Sequence, residues 1–137
     1  MARVKYTYLA SSFADEEDVR RFNECKDAGG TDHECFEVGD NGIGQFGSVT
    51  AQSHTPMVAL HADDMVARWG SVEAAAHRRV RIERGGLHCF AGVEDRCGRR
   101  GRIDLNPACL LALKMKAPCL EPVEWSWVDG DGSQEKR

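Results

Sequence analysis

The sequence predicts a small single-domain β-barrel carrying a few short helices, a mainly β (α+β) fold. Apolar residues recur at every second position through residues 79–94, on both sides of Gly85-Gly86, which is the pattern of half-buried strands joined by a tight hairpin. The helical stretches are short, each opened by a capping residue or stopped by glycine. A chain of 137 residues fits one domain and is long enough to bury a core.

Taken in order, residues 12–27 read as a helix, with Ser12 as N-cap, acids in the first turn (Asp15, Glu16, Glu17, Asp18) and Val19, Phe22 and Cys25 or Lys26 at helical spacing before Gly29-Gly30. Residues 31–53 are polar and glycine-rich. Gly39, Gly42, Gly44 and Gly47 suit a strand that bends through tight turns, or a loop lining a cleft. Residues 56–60 form a short apolar strand. Asp63 to Trp69 reads as a helical turn or two with Trp69 in the core, and Ser71 caps another short helix. After the hairpin, Ile103 to Leu105 is a brief strand. Asn106 caps a helix with Pro107 at its first position, and Val123, Trp125 and Trp127 alternate along a last strand. The organisation expected is an N-terminal helical extension over 1–36, a barrel over 37–128 and a polar, flexible tail over 129–137.

Composition narrows the function classes. Hydrophobic content is 42%, charged content 29% and net charge −4, so no global basic field attracts nucleic acid. No apolar run approaches the roughly 20 residues of a membrane helix. Arg3 and Lys5 precede an apolar stretch too short and too polar for a signal-peptide core. The expected location is secreted or cell-envelope after loss of a leader, with a cytoplasmic start as the alternative. Six cysteines (Cys25, Cys35, Cys89, Cys97, Cys109, Cys119) allow up to three disulfides of open pairing, and their spacing matches no zinc site. Buried free thiols at Cys89 and Cys109 are the other reading. The five histidines (His33, His54, His61, His77, His88) gather no third metal ligand at a persuasive spacing, and the glycine run lacks the lysine and hydroxyl of a phosphate loop. No metal or cofactor is expected.

The segment Arg79 to Leu113 reads RVRIERGGLHCFAGVEDRCGRRGRIDLNPACLLAL: strand, glycine turn, strand ending in Glu94-Asp95-Arg96-Cys97, an arginine-glycine loop, Ile103-Asp104-Leu105, then a helix opened by Asn106-Pro107-Ala108. This resembles the six-stranded double-psi β-barrel of expansins, rare lipoprotein A and related peptidoglycan-acting domains. The run from Gly39 to Gly47, followed by the apolar strand, looks like the opening of the same barrel, so the resemblance spans roughly residues 37–128. The departures are Arg102-Ile103, where expansins place His-Phe, and Cys97-Gly98-Arg99-Arg100, where the rare-lipoprotein pattern has proline.

The resemblance implies a catalytic acid at Asp104 and a base at Asp40. Glycoside cleavage needs two carboxyl groups flanking the bond, and a spacing of roughly 6.5–9.5 Å would favour inversion. Asp95, nine residues before Asp104 at the far end of the crossing strand, is a third candidate for the groove. Each has a structural alternative: Asp104 near a helix N-terminus, Asp95 bound to Arg96 or loop amides, Asp40 in an ordinary Asp-Asn-Gly turn. Arg99, Arg100 and Arg102, with Arg96, form either an anion-orienting loop or a solvated edge. Trp125 and Trp127 share one strand face, as a sugar-stacking platform or as barrel core. The expectation is therefore a glycan-cleaving enzyme on cell-wall polysaccharide, peptidoglycan above all, of lytic transglycosylase or glycoside hydrolase type, working as a monomer. The alternatives are a non-catalytic expansin-like glycan-binding module, or a secreted toxin- or inhibitor-type protein that binds another protein.

Overall fold

The computed structural model describes residues 4–128. The elements run β1 (Tyr6–Ser12), α1 (Glu16–Asp27), α2 (Asp32–Phe36), β2 (Met57–His61), α3 (Ala62–Trp69), α4 (Val72–Ala75), β3 (Arg79–Arg84), β4 (Leu87–Cys97), β5 (Arg102–Leu105), α5 (Pro107–Ala112) and β6 (Leu120–Trp127). The strands close into a barrel in the order β1-β5-β2-β4-β3-β6, with β6 returning to β1. The β1–β5 and β2–β4 pairs are parallel, and the other four are antiparallel.

Period-two alternation fills the interior: Val58 and Leu60, Val80 and Ile82, Cys89, Ala91 and Val93, Ile103 and Leu105, and Val123, Trp125 and Trp127 all face the core. The last pair corrects an expectation. Trp125 is 1% exposed and Trp127 6%, so neither presents a face to a sugar. The rings pack on each other at 5.4 Å, Trp125 on Tyr6 and Tyr8 at 4.7 and 5.4 Å, and Trp127 on Trp69 at 5.7 Å. Two indoles on the inward face of one strand fill much of the interior of a small barrel.

The first strand is the larger correction. Tyr6–Ser12 hydrogen-bonds between β5 and β6, so the barrel begins there and not at residue 37. Its alternation was present in Tyr6, Tyr8 and Ala10, all directed to the core. Ser12 ends this strand instead of capping a helix. Helix α1 starts after Asp15, whose extended backbone takes the N-cap position. The glycine-rich segment expected to supply the opening strand is a loop with one isolated bridge, Ile43 to Val49. One of the six strands thus differs from those expected, β1 standing where the resemblance placed the glycine-rich segment. The tail expected over 129–137 lies outside the described residues.

Elsewhere, local chemistry acts as the sequence implied. Ser71 accepts a hydrogen bond from the Ala74 N–H and opens α4. Asn106 caps α5 by accepting from the Cys109 N–H at 3.0 Å, and it also accepts from the Met57 N–H at 2.9 Å. Its amide nitrogen donates to the carbonyls of Thr50 and Thr55 at 3.0 and 3.1 Å. One fully buried side chain therefore ties β2, α5 and the end of the glycine-rich loop together. A Cys25–Cys35 disulfide staples α1 to α2, and α2 itself is held by a Thr31–Glu34 capping box. No described helix is long and apolar enough to cross a membrane.

Candidate functional site

Because Ile103 and Leu105 point inward, Asp104 between them points out of the barrel. Register then builds a row across three strand pairs. Asp104 pairs with Ser11 of β1 on one side and Ala59 of β2 on the other, and Ala59 in turn pairs with Asp95 of β4. The glycine-rich loop brings Asp40 over this row. Asp40, Asp95 and Asp104 consequently line one cleft of about 500 Å³, together with Phe36, Ile43 and Gln45. All three expected carboxylates meet, on the outer face of the wall.

Each of them is engaged. The Ser11 hydroxyl donates to Asp104 Oδ1. Asp95 Oδ1 accepts from the backbone N–H of Gln45 at 3.0 Å and of Arg96 at 2.8 Å, which pins the loop to β4. Asp40 Oδ1 accepts from the Gly42 N–H at 2.7 Å and closes a tight turn.

Burial is the largest influence on all three and raises their pKa values. Asp40 is pushed up to about 6 by burial and by the neighbouring Asp95, Asp18 and Asp104 charges, against the Gly42 N–H. Burial raises Asp104 against the opposing Ser11 hydroxyl and Arg102, and raises Asp95 against its two backbone N–H donors.

A carboxyl whose folded pKa lies above its unfolded value contributes stability below about pH 4 that is lost as pH rises through the folded value. For Asp40 the window runs from about pH 4 to about 6. Asp40→Asn keeps an oxygen for the Gly42 N–H and removes the charge. Its melting temperature relative to the wild type is therefore expected to rise as pH goes from 4 to 7. A difference that is flat across that range in paired thermal scans contradicts the assignment.

The arginine loop divides. Arg99 and Arg102 line a second hollow of about 330 Å³ with Ser11, Ser12, Cys97 and Asp104. Arg100 is turned away and pairs with Asp63 at 2.8 Å. Arg96 borders the carboxylate cleft. The described residues hold no group of three or more His, Cys, Asp or Glu side chains placed to bind a metal.

Sequence reasoning missed the most exposed apolar feature beside this cleft. Phe36, Val38, Ile43 and Val49 are 49%, 49%, 52% and 58% exposed, although they fall within one short stretch. Phe36 and Ile43 line the cleft, and Val49 bridges to Ile43. The stretch is firmly held. Gly44 N–H donates to the Ser48 carbonyl at 2.8 Å, Thr50 N–H to the Gly42 carbonyl at 2.9 Å, and Ser48 Oγ to Glu94 Oε1 at 2.7 Å. His77 Nδ1 meets that same buried carboxylate oxygen at 2.7 Å. Gly44 lies so close to β4 that a Cβ there would strike the Glu94 carbonyl, and Gly39 approaches α1 at Asp18 just as closely. Only the crowding of glycines signalled this seat in the sequence.

No family model matches the chain, and neither does any curated protein. Among solved structures it is similar to Streptomyces papain inhibitor, with a TM-score of 0.57 and 18% identity, covering 91% of this chain and 94% of that one. That likeness overturns the expectation of a glycan-cleaving enzyme. The solved structure that this chain matches nearly end to end is a papain inhibitor. The tryptophan platform, likewise, is inside the barrel. With it, cell-wall glycan is withdrawn as the partner.

Proposed function

We propose that this chain is an inhibitor-type protein that grips another protein, a papain-type cysteine protease, with the apolar stretch from Phe36 to Val49. The observation that carries the reading is that stretch: four large apolar side chains held in the open on a backbone fixed by the disulfide, by Asp95 and by Glu94. Apolar side chains exposed together beside polar groups mark protein-binding surfaces, and a loop already rigid in its bound shape loses little entropy on docking. The likeness to Streptomyces papain inhibitor supports the class of partner.

The reading extends to two finer points. A double-psi wiring of the barrel is supported by the two parallel pairs, β1–β5 and β2–β4, within an otherwise antiparallel closed sheet. Work outside the cell or in its envelope is supported by the Cys25–Cys35 disulfide, a bond that persists in oxidising compartments.

The test is a titration of papain with the purified protein, residual activity being read on a small chromogenic substrate. Activity is expected to fall in proportion to added protein and to vanish near equivalence. Full activity under a large excess of folded protein counts against the reading.

A further inference from the structure

Two thiols inside the barrel stand apart from everything above. Cys89 lies on the inward face of β4, 8% exposed, and Cys109 lies in α5, fully buried. Their sulfurs are 3.4 Å apart. Helix α5 packs directly on β4, and its first turn is fixed by Asn106, so neither cysteine has far to move. The other two free cysteines are occupied differently: the Cys97 thiol donates to the Arg99 carbonyl at 3.4 Å, and the Cys119 thiol lies 4.0 Å from the Ala10 carbonyl.

We infer that Cys89 and Cys109 are a second cross-link site, which a small-molecule disulfide such as oxidised glutathione converts to a disulfide joining β4 to α5. Bond formation requires the sulfurs to close by about 1.4 Å, from 3.4 Å to the covalent length. The chemistry balances by thiol–disulfide exchange. One cysteine, as its thiolate, attacks a sulfur of the oxidised glutathione, forming a mixed disulfide and releasing one glutathione thiolate. The second cysteine, deprotonated in turn, attacks the protein sulfur of that mixed disulfide and expels the other glutathione. Two electrons pass from the cysteine pair to the glutathione disulfide, and the two thiol protons go to the departing thiolates.

The pair is prepared for the first step. The hydrogen bond from its neighbour lowers the Cys89 thiol from its ordinary value, while the same bond and burial raise Cys109. Cys89 is also the sulfur with some exposure. Exchange therefore starts there, through opening of the six-residue helix α5 or before that helix docks.

The bond would span a meaningful part of the molecule. Between Cys89 and Cys109 lie Asp95, the arginine loop and Asp104, so the cross-link closes a covalent loop around one wall of the cleft. It braces that wall from inside the barrel, as the Cys25–Cys35 bond braces the other side from α1 and α2.

The experiment uses the whole folded chain and does not depend on the inhibitor reading. The protein is equilibrated in a mildly oxidising glutathione buffer, then denatured in the presence of an alkylating reagent. It is digested without reduction and mapped by mass spectrometry. The expected map holds two cross-linked peptide pairs, Cys25–Cys35 and Cys89–Cys109, with Cys97 and Cys119 alkylated. In a Cys25→Ala/Cys35→Ala background, where no other bond contributes, the same oxidation is expected to raise the melting temperature by roughly 5–15 °C. Alkylation of both Cys89 and Cys109, or a bond from either to Cys97 or Cys119, overturns the inference.

Discussion

Asn106→Ala is expected to cost the fold about 3–5 kcal/mol, a large share of the 5–15 kcal/mol that holds a typical domain together. The side chain is fully buried and makes four hydrogen bonds to backbone groups of Met57, Cys109, Thr50 and Thr55. Alanine leaves the Met57 and Cys109 N–H groups without their acceptor, while the Thr50 and Thr55 carbonyls keep only their second donors, the Gln52 N–H and the Gln52 side-chain amide. Each orphaned group costs on the order of 1–3 kcal/mol, reduced where the backbone relaxes to reach solvent. Asn106→Asp keeps the acceptor for Met57 and Cys109 but sets a second oxygen against the Thr50 and Thr55 carbonyls, so it too is expected to destabilise. Urea unfolding measures both. A change within about 1 kcal/mol for the alanine variant contradicts the central role given to this residue.

Trp125 yields the second large effect, and its two variants separate packing from hydrogen bonding. Trp125→Ala removes the largest fully buried side chain from the contact of Tyr6, Tyr8 and Trp127, and it is expected to cost about 3–5 kcal/mol. Trp125→Phe is expected to change stability by only about 1 kcal/mol. The smaller ring loses packing, but the indole N–H of Trp125 has no hydrogen-bond partner among the described residues, and the substitution removes that unpaired donor. A loss with phenylalanine as large as with alanine would show that the indole nitrogen matters in its own right. Equal urea midpoints for wild type and Trp125→Ala would contradict its place in the core and favour the sugar-stacking alternative.

The fold was legible where local chemistry is self-contained. Asn106-Pro107, Ser71 and the Gly85-Gly86 hairpin each announce their structure within a few residues, and each appears as read. The first strand was hidden because Ser12 followed by acids is an equally good helix start, and only pairing with β5 and β6 decides between the two. The glycine-rich segment was open between a bent strand and a loop lining a cleft, and it is the loop: close approach to α1 and β4 demands the same glycines as a bent strand. The carboxylates could be gathered from sequence because alternation fixes which face Asp104 takes. Their hydrogen-bond partners could not, since Ser11 and the Gln45 amide arrive from distant parts of the chain. Alternation also put Trp125 and Trp127 on one face without saying which face was inward. Phe36, Val38, Ile43 and Val49 read as core material in any one-dimensional view, so their exposure emerges only once the barrel has filled with other residues.

The role of that exposed stretch is tested most directly by a parallel papain titration of the wild type and an Ile43→Asp/Val49→Asp variant. Both residues are more than half exposed, so the variant is expected to melt within a few degrees of the wild type. The wild type is expected to inhibit and the variant to inhibit at least a hundredfold more weakly, the size of effect that loss of buried anchors from the centre of an interface can give. Equal inhibition by the two folded proteins, or none by either, would contradict that role.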